Sequence, residues 1–224
     1  MLVQGAQRNR SYRNSAPVAS GILSPPGSIE ALGGRMQYLR GSEIYGEEEP
    51  VEYLYKVVSG AVRTYKVLAD GRRQVYDFHF PGDFFGLETD ELHMASAEAI
   101  VDSTILVMKR TAVMALARCD QDVAERLRAL TGEELRRVHS RVVLLIKTAR
   151  ERVAAFLLEM ADRVPIADQV DLPMSRQDIA DYLGLTIETV SRTLTDLENK
   201  SAISLASARR VVLRNRFELS RYCG

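Results

Sequence analysis

The sequence predicts an α+β protein in which an antiparallel β domain is followed by a long helix and a small helical domain that includes a β hairpin. Three observations carry this prediction. Runs rich in Val, Tyr, Phe and Leu alternate with glycine-containing turns over residues 51–108, a helical spacing of apolar residues follows, and two short helices meet at Leu183-Gly184-Leu185. A chain of 224 residues is long enough for two domains that each bury a core.

The β domain is predicted from four runs of strand-forming residues, which read VEYLYKVVSG, AVRTYKVL, RQVYDFHF and AEAIVDSTILVM. Gly60, Asp70-Gly71 and Pro81-Gly82 punctuate this region at the roughly 8 to 12 residue spacing of an antiparallel barrel or sandwich. Asp70-Gly71 is the clearest hairpin turn, because glycine supplies the positive φ that primed turns require.

Beyond Lys109 the apolar residues recur at the spacing of a helix. A single stripe contains Val123, Leu127, Leu130, Val138, Val142, Leu145 and Ala149, and it skips the position of Glu134. It predicts one continuous helix of about 40 Å, which extends past a small domain. We therefore expect the stripe to pack against a second copy of the chain as a coiled coil, with Leu135 and Val143 serving the β domain. The alternative is that the stripe packs only on its own β domain.

These patterns set the expected domain limits. We predict a disordered arm over residues 1–25, the β domain over 26–117, the long helix over 118–149 and a C-terminal domain over 150–224. A further helix is expected from Glu151 to Arg163, followed by a loop or short strand before Met174.

Composition excludes several classes of protein. No run approaches the roughly 18 apolar residues of a membrane span, and the N-terminus lacks the apolar segment of a secretory signal, so we predict a cytoplasmic protein without membrane contact. Cys119 and Cys223 are far apart, which argues against an all-cysteine metal site. His79, His93 and His139 lack partners at metal-ligand spacing, and no catalytic or nucleotide-binding motif occurs. We predict no metal, no cofactor and no enzymatic activity.

Residues 174–199 have the layout of a helix-turn-helix. Ser175 and Asp178 form a capping-box-like start, and Gly184 can end the first helix in the left-handed conformation. Thr186 then caps a second helix whose inward side carries Val190, Leu194 and Leu197.

The polar side of that second helix has residues that can read DNA bases. Glu188, Ser191 and Arg192 lie in its first two turns, where a recognition helix meets base edges in the major groove. Arg can bond guanine O6 and N7, Glu can accept from cytosine N4, and Ser can serve a base or a phosphate. The alternative is an ordinary helix pair with a solvated polar face.

The following segment favours DNA binding. AISLASARRVVLR predicts two short strands around a turn that carries Arg209 and Arg210, and five arginines stand against one acid between residues 203 and 223 of a chain with 30 basic and 30 acidic residues. Such a basic wing suits the phosphate backbone. Backbone contacts are predicted for Ser175, Arg176, Gln177, Thr186, Thr189, Thr195, Arg209 and Arg210.

IADYLGLTIETVSRTLTDLE resembles the helix-turn-helix of the Crp/Fnr family of bacterial transcription regulators, and its Glu-x-x-Ser-Arg pattern is similar to the Fnr and FixK branches. LYKVVSGAVRTYKVLADGRRQVYDFHFPGDFFGLE resembles the cyclic-nucleotide-binding-type β-roll of that family, and the apolar stripe resembles its dimerisation helix. The resemblance implies a homodimeric activator that reads a TTGAT-N4-ATCAA-like palindrome through Glu188, Ser191 and Arg192. It also implies contact with RNA polymerase and a role in oxygen-responsive regulation and nitrogen fixation.

Two departures from the family pattern concern the effector. Members that bind cyclic AMP carry an Arg-Ser-Ala phosphate clamp where this chain reads HMASAEA, and neither Met94 nor Ala95 offers a charge to a cyclic phosphate. Fnr holds an iron-sulfur cluster on N-terminal cysteines, which residues 1–25 lack. The resemblance therefore implies a FixK-like regulator that needs neither group. The alternatives are a sensor gated by haem or a small molecule in the β-roll and, third, an enzyme or interaction module of similar architecture.

Overall fold

The N-terminal part of the chain is a β-roll made of two four-stranded antiparallel sheets in the computed structural model, which describes residues 27–163 and 169–223. The predicted arm over residues 1–25 lies outside the described residues. A short 3-10 helix, Ile29–Leu32, precedes the strands. These are β1 (Gly33–Tyr38), β2 (Glu43–Tyr45), β3 (Tyr53–Ser59), β4 (Val62–Val67), β5 (Arg73–His79), β6 (Phe84–Phe85), β7 (Ser96–Ala99) and β8 (Ser103–Lys109). The sheet orders are β1-β8-β3-β6 and β2-β7-β4-β5.

All four predicted runs contain strands, and the predicted hairpin is confirmed. β4 pairs with β5 in antiparallel register, and Gly71 in the connecting turn has a φ of 84°. The run AEAIVDSTILVM contains two strands, β7 and β8. β1, β2 and β6 were not predicted. β2 and β6 are too short to show an alternating pattern, and β1 begins with two glycines.

Three helices follow the roll: α1 (Arg110–Cys119), α2 (Gln121–Leu144) and α3 (Ala149–Arg163). The expectation of one helix through Ala149 was wrong, because α2 ends at Leu144. Thr148 and Glu151 explain the break. The Glu151 Oε2 atom accepts from the backbone N–H and the hydroxyl of Thr148, each at 2.6 Å, and this capping arrangement begins α3.

The apolar stripe on α2 belongs to two different faces of the helix. Val123 is 6% exposed, and Leu127 and Leu130 pack with it against the core of the chain's own β-roll. These three residues were expected to contact a second copy, and in the single chain they contact the β-roll. The side of α2 that faces the β-roll continues with three polar residues, namely Glu134, Arg137 and Arg141. A search for apolar residues alone therefore cannot follow this side along the whole helix.

The second face of α2 is apolar and exposed. It consists of Leu135, Val138, Val142 and Leu145, which are 55%, 45%, 58% and 62% exposed and recur at spacings of three and four. We call these four residues the exposed seam. Leu135, with Val143, was expected to pack on the β domain, and that prediction was wrong because both side chains are more than half exposed.

The C-terminal part folds as a small domain with its own sheet. Its elements are β9 (Gln169–Asp171), α4 (Arg176–Leu183), α5 (Ile187–Asn199), β10 (Ile203–Ser207), β11 (Arg210–Leu213) and α6 (Arg216–Arg221), with sheet order β10-β11-β9. Phe156, Leu157, Val190 and Leu197 are fully buried in its core. Phe78 of β5 belongs to the same core, which therefore extends into the β-roll. None of the helices in the described ranges is long and apolar enough to cross a membrane.

Candidate nucleic-acid interface

The turn between α4 and α5 has the predicted local chemistry. The Ser175 Oγ atom accepts from the backbone N–H of Asp178 at 3.1 Å, and the Asp178 carboxylate accepts from the backbone N–H of Ser175 at 2.9 Å, so the capping box is confirmed. Gly184 ends α4 with a φ of 63°. The Thr186 hydroxyl accepts from the backbone N–H of Thr189 at 3.2 Å and caps α5. These three residues fix the direction in which α5 leaves α4.

One side of α5 is buried and the other is open. Val190, Leu194 and Leu197 are at most 3% exposed, which anchors the helix in the C-terminal core. Glu188 and Arg192 are exposed and Ser191 is half-buried beside them. Neither Glu188 nor Arg192 has a hydrogen bond or ion pair with another side chain in the described part of the chain. The structure thus brings the three predicted base readers together on one accessible face, with two charged groups available for a ligand.

The other polar residues predicted on this surface are mostly engaged with one another. Gln177 donates to the carboxylate of Asp181 at 2.6 Å, the hydroxyls of Thr186 and Thr189 lie 3.0 Å apart, and the Thr195 hydroxyl donates to the carbonyl of Ser191 at 3.1 Å. Ser175 is held in the capping box. To contact a DNA phosphate, each of these side chains would have to give up its present hydrogen bond or form a second one beside it. The first turn of α4, which contains Arg176 and Gln177, also carries the backbone N–H groups that make a helix N-terminus attractive to anions.

The basic wing forms as predicted, but its two central arginines differ. β10 and β11 pair in antiparallel register, and β9 adds a third strand that was foreseen only as a loop or short strand. Arg209 is exposed in the turn, whereas the Arg210 guanidinium lies 2.7 Å from the carboxylate of Asp171. Hydrogen bonding to Asp171 raises the pKa of Arg210. Arg209 is therefore the better placed of the two for a phosphate contact.

Several residues that position this domain were missed by the sequence analysis. Arg152 donates to the backbone carbonyls of Leu145, Lys147 and Leu183, which ties the end of α2 and the end of α4 to α3. No motif marks this role. Its partners are set by how three helices meet.

Asp77 is a second missed residue, at the junction of β5, α2 and α3. Its carboxylate is almost fully buried and lies 3.1 Å from Arg137, 3.3 Å from Arg141 and 3.5 Å from Arg163. Burial opposes ionisation of Asp77, but the positive charge of His79 when protonated and of the three arginines outweighs it and lowers the pKa. This cluster fixes the long helix and the first helix of the C-terminal domain to the β-roll.

A cavity of about 620 Å³ opens beside this cluster, between α2 and α3. Its four arginines are matched by four acids, because Arg137 and Arg141 face Asp77, Arg163 pairs with Asp83 at 2.7 Å and with Glu159 at 3.4 Å, and Arg136 lies 3.9 Å from Glu133. The cavity therefore has no surplus charge that would favour an ionic ligand.

The interior of the β-roll is filled by the chain's own aromatic side chains. Tyr45 stacks on His93 with ring centroids 3.6 Å apart, and Tyr55 stacks on Phe85 at 5.1 Å. In the segment that stands where some family members carry a phosphate clamp, His93 points inward and is 2% exposed, while Met94 is 60% exposed.

The three histidines occupy ordinary positions. His79 and His93 are buried in the roll, and His139 lies on the exposed side of α2. Burial lowers the pKa of His79 to about 4, so this imidazole is neutral at pH 7. Within the described residues, no group of three or more His, Cys, Asp or Glu side chains could hold a metal ion.

Comparison with known proteins gives consistent matches over most of the chain. Residues 151–222 match the Crp-like helix-turn-helix domain, and residues 35–120 match the cyclic nucleotide-binding domain. The nitrogen fixation regulation protein FixK of Azorhizobium caulinodans is 48% identical over 203 residues, which cover 88% of this chain and 82% of the relative. The transcriptional activatory protein AadR of Rhodopseudomonas palustris is 37% identical over 180 residues, which cover 78% of this chain and 75% of that protein.

A solved structure is similar to this chain in both fold and sequence. FixK2 from Bradyrhizobium japonicum is 50% identical, with a TM-score of 0.83, and the match covers 86% of this chain and 98% of that one.

Proposed function

The chain belongs to the Crp/Fnr family of transcription regulators, and from this membership we propose that it is a homodimeric activator that binds a TTGAT-N4-ATCAA-like palindrome through α5. Its DNA-binding domain would span residues 150–224 and its β-roll residues 26–117. Because its target is DNA, we place it in the cytoplasm, and we propose no catalytic role.

The observation that carries this proposal is the open face of α5. Glu188 and Arg192 are charged, exposed and without a partner among the described residues, and Ser191 lies between them. A bidentate Arg contact to guanine and a Glu contact to cytosine are each worth about 1 to 3 kcal/mol of discrimination. In this proposal Arg192, Glu188 and Ser191 read bases, while Arg209 and the first turn of α4 hold the phosphate backbone on either side.

Dimerisation is supported by the exposed seam. Four large apolar side chains in a row at spacings of three and four are the pattern that a parallel coiled coil buries. A two-fold axis along this seam would present two α5 helices to successive major grooves, about 34 Å apart. A palindromic operator is the DNA counterpart of that symmetry.

We further propose that DNA binding needs neither a cyclic nucleotide nor an iron-sulfur cluster. The aromatic packing inside the roll and the exposed Met94 support this for the nucleotide. From relatives named as nitrogen fixation regulation proteins, we propose that the chain acts in the control of nitrogen fixation. Contact with RNA polymerase and oxygen-responsive regulation are proposed from the family resemblance alone.

Equilibrium titration of the purified protein tests this proposal. The probes are a duplex with the TTGAT-N4-ATCAA palindrome and a matched duplex in which both half-sites are scrambled, each with and without cyclic AMP or haem. We expect tight, selective and ligand-independent binding. Selective binding only after a ligand is added would instead indicate an effector-gated sensor, and equal binding to both duplexes would reject sequence-specific recognition.

A further inference from the structure

We propose that Arg63 and Arg73 of the β-roll are positioning residues for DNA binding, because they clamp Asp178 and Asp181 of α4 and so fix the helix-turn-helix on the roll. This inference rests on the proposed DNA-binding function and adds to it a specific contact between the two parts of the chain. Its members come from β4, β5 and α4.

The contacts are short and they interlock. The Asp178 Oδ1 atom lies 2.6 Å from Arg63 Nη1 and 2.5 Å from Arg73 Nη2, and Arg73 Nε donates to Asp181 Oδ2 at 2.8 Å. Arg63 also donates to Glu98 of the neighbouring strand at 2.8 Å. Each arginine therefore bridges two carboxylates, which makes the cluster a network rather than an isolated pair.

The cluster is shielded from solvent on the roll side. The Asp178 side chain is 6% exposed and that of Arg63 is 13% exposed. Both guanidinium groups also lie over the ring of Tyr65, at 5.5 and 5.8 Å from its centroid. Exposed surface pairs are worth little, but buried, hydrogen-bonded charges hold their geometry and are strongly disfavoured when one partner is removed.

The Asp178 carboxylate serves both domains at once. Its Oδ2 atom accepts from the backbone N–H and the hydroxyl of Ser175 in the capping box, while Oδ1 faces the two arginines. Burial opposes ionisation of Asp178, but the hydrogen bonds from Ser175 and the charges of Arg63 and Arg73 outweigh it and lower the pKa. The same carboxylate that starts α4 therefore also attaches α4 to the roll.

Whether the clamp favours or opposes DNA binding depends on which face of α5 is accessible when the clamp is formed. It holds α4 by Asp178 and Asp181, and beside it Tyr182 packs on Phe78 of β5 with ring centroids 5.2 Å apart. The face of α5 that carries Glu188 and Arg192 is exposed in this arrangement and is not covered by any described part of the roll. The clamp therefore holds the domain with its reading face accessible, and breaking the clamp should weaken DNA binding rather than strengthen it.

Charge reversal across the Arg73 and Asp181 contact tests the clamp in the full-length dimer. We expect Arg73→Glu and Asp181→Arg each to weaken binding to the palindrome by about tenfold, and the combined variant to bind about threefold more tightly than Arg73→Glu alone. Recovery is expected to be partial, because a carboxylate at position 73 would still face Asp178. Recovery by the second charge change would show that the two residues act through their contact with each other. Arg72→Glu is the matched control, because it makes the same charge change one residue away. The Arg72 side chain is 78% exposed and, among residues 27–163 and 169–223, it pairs with Asp70 alone.

A milder variant guards against loss of folding. Asp181→Asn keeps the shape of the side chain and removes its charge, and we expect it to weaken binding by about threefold while the protein still folds and its thermal unfolding midpoint falls less than in either charge reversal. Parent-like binding by both single charge reversals, in a protein that selects the palindrome, would overturn the clamp alone. A parent protein that does not select the palindrome would overturn the proposed function, and the clamp's role in DNA binding with it.

Discussion

Replacing Val142 by Glu should dissociate the proposed homodimer. Val142 is 58% exposed in the single chain and lies in the middle of the exposed seam. Complete burial of a valine side chain is worth about 1.5 to 3 kcal/mol, so burial of the remaining half is worth about 1 kcal/mol per chain. In a two-fold dimer the change occurs twice, and loss of about 2 kcal/mol corresponds to a dissociation constant about 30-fold higher. Two carboxylates that face each other across the seam would weaken the dimer further.

Sedimentation equilibrium over a range of protein concentrations measures this change directly. Val143→Glu is the matched control, because Val143 is 51% exposed and adjacent in sequence but points about 100° away around the helix, outside the seam. We expect the control to dimerise as the parent does. Operator binding by Val142→Glu should fall as well, because the two half-sites would no longer be engaged by linked subunits.

A Val142→Glu protein that keeps the dissociation constant of the parent would show that the exposed seam does not form the dimer contact. A Val143→Glu protein that dissociates while Val142→Glu does not would show that a different face of α2 forms the dimer contact.

Three further predictions concern stability and the wing. Because burial lowers the pKa of His79 to about 4, and an unfolded histidine titrates near pH 6.5, the unfolded chain takes up the proton first as the pH falls. The free energy of unfolding by urea should therefore decrease from about pH 6.5 toward pH 4, by about 2 to 3 kcal/mol, and His79→Gln should flatten this decrease. Gly184→Ala should lower the free energy of unfolding by about 1 kcal/mol, because a Cβ there meets only Arg152 at 3.7 Å and the strain is that of the positive φ. Gly132→Ala should raise the free energy of unfolding by up to about 1 kcal/mol, because Gly132 lies inside α2 and an added Cβ would meet open space. If both substitutions changed the free energy of unfolding in the same direction, the different roles given to the two glycines would be wrong. Arg209→Ala should weaken all DNA sequences alike and reduce the slope of log affinity against log salt by about one per half-site, and a loss confined to the palindrome would speak against a phosphate contact.

The helix-turn-helix could be predicted because its signals are local. Ser175, Gly184 and Thr186 each act on backbone groups within five residues, and the buried row of α5 repeats at a fixed helical spacing. Such features depend little on the rest of the fold. The same holds for the Asp70-Gly71 hairpin, whose turn chemistry lies in two adjacent residues.

The contacts between the two parts of the chain could not be predicted in the same way. Arg63 and Asp178 are 115 residues apart, and nothing in either local sequence marks the other as its partner. For a related reason, the apolar residues of α2 were wrongly assigned to a single stripe. The inward row passes from Leu130 to Arg137 and Arg141, whose partner Asp77 is known only from the fold, so hydrophobicity alone joined two different faces into one.

The most direct test of DNA reading by α5 is the affinity of Arg192→Ala for a panel of operators that each carry one base-pair substitution. We predict a loss of about 1 to 3 kcal/mol per half-site on the parent palindrome, together with loss of discrimination at a single base pair and unchanged ranking at the others. An Arg192→Ala protein that binds every operator in the panel as tightly and as selectively as the parent would contradict the assignment of this face as the reader of the DNA sequence.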